Sequence, residues 1–143
     1  MSRWLEPGGR VALAVWDDYA SNPWHGIPRE IVARRINERP VPASAPGPVR
    51  YADPAQFVSV LQRAGFGDIT LRSWDGTLQL GGGLPAPQAA RFALSAFWGN
   101  ALPPTHPLYD SALRELTQRF RLAEFADAVT LAARAHIVTG RRV

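Results

Sequence analysis

The run Arg10-Val11-Ala12-Leu13-Ala14-Val15-Trp16 constrains the fold of this chain more than any other stretch. It is of strand length and almost wholly apolar. Glu6-Pro7-Gly8-Gly9 breaks the chain before it and Asp17-Asp18 ends it. A run without polar alternation predicts a strand buried on both faces, as in a parallel sheet covered by helices. In an open α/β sheet the ligand crevice lies at the carboxyl ends of the strands. Trp16, Asp17 and Tyr19 therefore have a positional claim on a pocket, against the plainer reading of a solvated turn.

The rest of the chain alternates helical and extended patterns. Asn22-Pro23 opens a helical stretch to about Asn37, with Ile27, Ile31 and Val32 as its apolar stripe. Four prolines between Pro40 and Pro48 predict a loop. The clearest helix covers 54–64. Asp53 is its N-cap, Pro54 sits at N1 and Gln56 at the third position of a capping box. Phe57, Val60, Leu61 and Ala64 form one stripe, Gly65 supplies the stop, and Phe66 closes the cap. Residues 68–73 read as a strand resumed at 77–80, and Gly81-Gly82-Gly83 as a flexible break. Helices are predicted at about 87–98 and 108–125, separated by a proline-rich loop. A terminal strand is expected at about 131–141.

Composition removes several classes of function. The chain has 143 residues, 46% of them hydrophobic and 20% charged, enough for a real core. It has no cysteine, which excludes disulfides, zinc–thiolate sites and a cysteine nucleophile. No apolar run is long enough for a membrane helix, and Met1–Arg10 carries no apolar leader core; the expected location is the cytoplasm. The formal charge is +4, yet all 16 basic residues are Arg and they are spread along the chain. A nucleic-acid binder concentrates its cations on one face, so that partner is not expected.

The chemical motifs are sparse. Gly81-Gly82-Gly83-Leu84-Pro85-Ala86 matches the dinucleotide pattern G-x-G-x-x-A formally. Pro85 and Pro87 remove amide donors where a phosphate would need them, and no acidic residue follows to hold a ribose, so it reads as a loop. His25, His106 and His136 lie far apart in sequence, with no metal-ligand spacing. A general base needs only one histidine, and His25, beside Trp24 at a helix start, is the best candidate; a plain helix-end histidine is the alternative. Trp16, Trp24, Tyr51, Phe92, Phe97 and Trp98 can line an apolar pocket or fill a core. No G-x-S-x-G elbow occurs.

These residues carry a family resemblance. Trp4-Leu5-Glu6-Pro7-Gly8-Gly9 followed by residues 10–16 resembles the "L-x-P-G-G-x" turn and fifth strand of class I S-adenosylmethionine-dependent methyltransferases. The nearest flavour is the ubiquinone/menaquinone-biosynthesis-like small-molecule group. Asn22-Pro23-Trp24 resembles the opening of an inserted substrate-side helix. Arg50-Tyr51-Ala52-Asp53-Pro54 leads into a helix ending Ala64-Gly65-Phe66. Asp68-Ile69-Thr70-Leu71 is similar to the sixth strand, and Ala135 to Arg141 to the last, antiparallel one.

The resemblance implies a fold and its limits. It implies an α/β, partial Rossmann-like methyltransferase fold: fifth to seventh strands, with helical cap insertions at 20–48 and 85–127. The family's Gly-rich loop, second-strand acidic residue and fourth-strand contacts have no counterpart in these residues. S-adenosylmethionine is thus the cofactor of the intact family, and no cofactor-binding residue carries over to this chain. A small apolar or aromatic substrate is implied, with Trp16, Asp17, Tyr19, Trp24, Tyr51 and Phe97 as pocket residues. A homo-oligomer, or a partner supplying the missing half, is expected. The alternative is a non-catalytic small-molecule-binding or interaction module derived from the same fold.

Overall fold

The structure is a computed structural model and describes residues 5–37 and 45–143. The order of elements is β1 (Arg10–Trp16), α1 (Pro23–Ile36), α2 (Pro54–Arg63), β2 (Phe66–Gln79), α3 (Ala86–Trp98), α4 (Tyr109–Arg121), β3 (Glu124–Phe125) and β4 (Ala128–Arg142). The chain is α/β, with four helices and a four-stranded antiparallel sheet in the order β1-β4-β2, β3 pairing with β4. No helix among the described residues is long and apolar enough to cross a membrane. Two compact units are present. The first draws on 1–21, 41–75 and 134–143, the second on 22–40 and 76–133.

In the first unit β1 runs antiparallel to β4, from Arg10↔Arg141 to Trp16↔Ala135. The expectation of a strand buried on both faces, as in a parallel sheet, is corrected. Val11, Leu13 and Val15 pack with Phe57, Leu61, Phe66 and Val138, while Arg10, Ala12 and Ala14 are exposed. Alanine reads as apolar in sequence, yet its single methyl demands little burial, which is why a one-faced strand looked two-faced. The hydrogen bonds also fix which way the amides point. Arg142 N–H donates to Gly9 O (2.8 Å) and Asp17 N–H to Arg134 O (3.1 Å). Because such pairs alternate along an antiparallel ladder, the odd residues 11, 13 and 15 donate to β4. The amides of Arg10, Ala12 and Ala14 then face the outer edge of the sheet, since β1 is its terminal strand.

Helix α2 forms as its caps dictate. Asp53 accepts from the amides of Ala55 (2.9 Å) and Gln56 (3.4 Å), and Pro54 needs no partner at N1. Gly65 adopts φ +82°, and Phe66 is buried behind the stop. β2 then continues without a break to Gln79, rather than as two strands at 68–73 and 77–80. Its exposed middle, residues 72–75, is polar on both faces apart from Trp74, so hydrophobic periodicity could not reveal it.

In the second unit α3 packs on α1 and α4. Ala86, Ala89, Ala90, Ala93 and Leu94 of α3, Ile31 of α1, and Leu116 and Phe120 of α4 are all fully buried. The Gly81-Gly82-Gly83 segment forms a short 3-10 turn over 80–82, with positive φ at all three glycines. Helix α4 ends at Arg121, not near Phe125, because Glu124–Phe125 pair with β4. Ala126 (φ +47°) and Asp127 (φ +59°) make the two-residue hairpin loop between them. The predicted loop at 40–48 lies partly outside the described residues.

Candidate functional site

A group of polar side chains gathers at the carboxyl end of β1. Asp17 lies opposite Arg134 in the ladder, so His136, two residues on, is its diagonal neighbour on the same face. The two side chains meet there: Asp17 Oδ1 is 3.5 Å from His136 Nε2. His136 is buried, with 4% of its surface exposed. Its Nε2 also lies 3.1 Å from the carbonyl oxygen of Ala52, and its Nδ1 lies 3.5 Å from Ser73 Oγ. A carbonyl only accepts, so at this contact Nε2 is the donor, to Ala52 O. Nδ1 lies on the side of the Ser73 hydroxyl. Hydroxyl, imidazole and carboxylate thus lie in sequence, each 3.5 Å from the next, longer than a firm hydrogen bond.

Charge surrounds this group. Arg134 Nε donates to Asp75 Oδ1 at 2.5 Å, and that bond, with the Asp17 and Asp18 carboxylates further off, raises the guanidinium's pKa. Asp17 accepts from the amide of Asp18 (2.7 Å), and Asp18 accepts from that of Ser21 (2.8 Å). The Ser21 amide and hydroxyl, helped by the Ala20 amide and the Arg134 charge, hold the Asp18 carboxyl below its ordinary pKa. Among the described residues no group of three potential ligands converges on a metal position.

The second unit gathers a different part of the expected site. Trp24 packs edge-on to His25 (5.4 Å between centroids) and to Phe97 (5.6 Å). His25 also meets Phe97 (5.2 Å) and Trp98 (5.8 Å). Burial, and after it the Arg29 cation, lower the His25 pKa. The ring is therefore a neutral member of an aromatic cluster with only 7% of its surface exposed. The Trp24 indole donates to Asn22 Oδ1 (3.0 Å), which ties down the start of α1. His106, the third histidine, accepts from the amide of Leu108 ahead of α4.

The expected pocket residues are thus distributed as follows. Trp16, Asp17, Tyr19 and Tyr51 belong to the first unit, and Trp24, His25 and Phe97 to the second. Tyr51 stacks on Phe57 (4.8 Å, 26°) and joins the core of its unit. Asp17 is brought to His136, whose other nitrogen meets Ser73, a pairing that sequence reasoning passed over. The signal was the offset between two strands, and that becomes visible only once β1 and β4 are paired.

The Gly81–Ala86 segment does not make a nucleotide cradle. The Ala86 amide at the start of α3 already donates to the Glu124 carboxylate (2.9 Å), and a second anion there would be repelled. A side chain at Gly81 would also meet Leu84 at 2.5 Å, so that glycine makes room for its own turn. This segment does not fit a dinucleotide's phosphates. No protein-family model matches the chain, and no curated protein matches it in sequence.

Proposed function

We propose that this chain is the carboxyl-terminal, substrate-side half of a fold of the class I S-adenosylmethionine-dependent methyltransferase type, acting on a small molecule. The observation that carries the reading is the arrangement around β1. In that family the fifth strand lies between the fourth and the antiparallel seventh. Here β1 has the antiparallel carboxyl-terminal strand β4 on one side and an outer edge on the other. The order of α2, the Ala64-Gly65-Phe66 stop and β2 supports the same correspondence.

On this reading the 143 residues supply substrate walls and no methyl donor. S-adenosylmethionine, held by the other half, supplies the methyl group. Alignment and exclusion of water are then the chief contribution of the protein, with a base where the acceptor atom must lose a proton. His136 is better placed for that than His25, because its Nδ1 lies beside the Ser73 hydroxyl on the exposed middle of β2 rather than in an aromatic cluster. The reading includes a partner strand along β1, from the other half or from a second copy.

Two measurements test it. Calorimetry of the purified chain with S-adenosylmethionine and its demethylated product is expected to give no binding. The coding DNA next to the codon for Met1 is expected to specify a Gly-rich loop after an apolar strand, and its product, joined to this chain, to bind the cofactor. A micromolar dissociation constant for the chain alone contradicts the reading. Failure of the joined protein to bind the cofactor leaves the non-catalytic binding module as the better account.

A further inference from the structure

The helices of the second unit balance their charges on one side and not on the other. Glu115 of α4 takes Arg34 (2.6 Å) and Arg35 (2.7 Å) from α1, and Glu30 lies 3.9 Å from Arg119. Arg35 also donates to Ser111 Oγ and its carbonyl. The bond from Arg35, and then that from Arg34, lower the Glu115 pKa. Every cation on this side of α4 has a carboxylate.

A separate groove is lined by residues of α3 and α4 and has a volume of about 250 Å³. Arg91 comes from α3, and Arg114 and Arg121 come from α4, seven residues apart and hence on one helical stripe. No carboxylate is among its lining residues. Among the described residues none of these three arginines has an ion-pair partner, in contrast to Arg34, Arg35 and Arg119. Leu113 and Pro87 supply apolar lining, and Gln118 adds an amide. The Thr117 hydroxyl is turned away to the Leu113 carbonyl (2.7 Å), so the groove offers hydrogen-bond donors mainly through its guanidinium groups.

We propose that this groove binds a small phosphate monoester whose organic part rests on Leu113 and Pro87. Three positive charges lining one hollow repel one another, and a bound dianion relieves that repulsion. A phosphate monoester presents a charge near −2 and three terminal oxygens, which suits several guanidinium forks better than a carboxylate with two. The volume is below the usual range of about 300–1,000 Å³ for drug-sized ligands, so the ligand is fragment-sized. The site lies wholly within the second unit and does not depend on the methyltransferase reading.

The test is a titration followed by NMR of the arginine side-chain N–H signals, with phenyl phosphate, inorganic phosphate and benzoate as probes. Phenyl phosphate is expected to shift the Arg91, Arg114 and Arg121 signals saturably, more tightly than inorganic phosphate and far more tightly than benzoate. Arg114→Gln and Arg121→Gln each remove one exposed fork and are expected to weaken binding about tenfold. Arg119→Gln, outside the groove, is expected to leave it unchanged. A linear, unsaturable shift overturns the proposal, as does equal weakening by Arg119→Gln, which would mean attraction to net charge alone. Binding of a single-stranded oligonucleotide or an anionic vesicle at these arginines, with no response to phenyl phosphate, overturns it too.

Discussion

Replacing Gly65 by alanine isolates one backbone conformation. Gly65 ends α2 at φ +82°, donates to Gln62 O (3.0 Å), and accepts from the Val143 amide (3.1 Å). A Cβ built there meets nothing within 4 Å, so no clash contributes. What remains is the left-handed conformation itself, unfavourable for an L-residue by roughly 1–2 kcal/mol. Alanine also restricts the unfolded chain, which returns about 0.4–1 kcal/mol to the folded state. The net expected loss is about 1 kcal/mol. With a urea slope of about 1–3 kcal/mol per molar, the midpoint falls by roughly 0.3–1 M with the slope unchanged. Gly65→Asn is expected to lose less, because asparagine tolerates this region. An alanine variant with the wild-type midpoint would refute the left-handed stop, and with it the turn that delivers the chain from α2 into β2.

Three further outcomes follow from the same structure. Ala126→Gly relieves the same strain in the β3–β4 loop and is expected to raise the urea midpoint by a net stabilisation of about 0.5–1 kcal/mol; a lower midpoint would show that Ala126 is not left-handed. Asp53→Ala removes the acceptor for the Ala55 and Gln56 amides and is expected to lower stability by about 1 kcal/mol, with Asp53→Asn recovering most of it; equal stability of all three proteins would sink the cap assignment. Burial and Arg29 set the His25 pKa below 6.5, so as pH falls through 6.5 the unfolded chain takes up the proton first and stability drops. Midpoints measured against pH are expected to show this acid slope in the wild type and a flatter one in His25→Phe, whereas identical slopes would remove His25 as its source.

Much of the scaffold was legible in the sequence, because local chemistry governs it. Asp53, Pro54 and Gly65 act within one helix and need no tertiary partner, so α2 was readable almost to the residue. The strand at β1 was also readable, but not its one-sided burial, which depends on what covers Ala12 and Ala14. The β3–β4 hairpin was hidden because Ala126-Asp127 has none of the glycine or asparagine that usually marks such a loop. Apolar spacing therefore carried the predicted helix past Arg121 into Phe125. The Asp17–His136 pair was hidden for another reason. Its members are 119 positions apart in sequence (136 − 17), and only the register of β1 against β4 makes them neighbours.

The measurement that bears most directly on the proposed half-fold is hydrogen exchange along β1, taken over a range of protein concentrations with the molecular mass followed by ultracentrifugation. The amides of Val11, Leu13 and Val15 are satisfied by β4 and serve as internal controls. Those of Arg10, Ala12 and Ala14 face the outer edge, which has no proline or lysine to discourage pairing. If β1 takes up another strand, these three amides become protected as the chain associates with itself or with a partner carrying the remaining strands. A monomer at high concentration, with Ala12 and Ala14 exchanging as open-edge amides while Leu13 stays protected, would contradict the account.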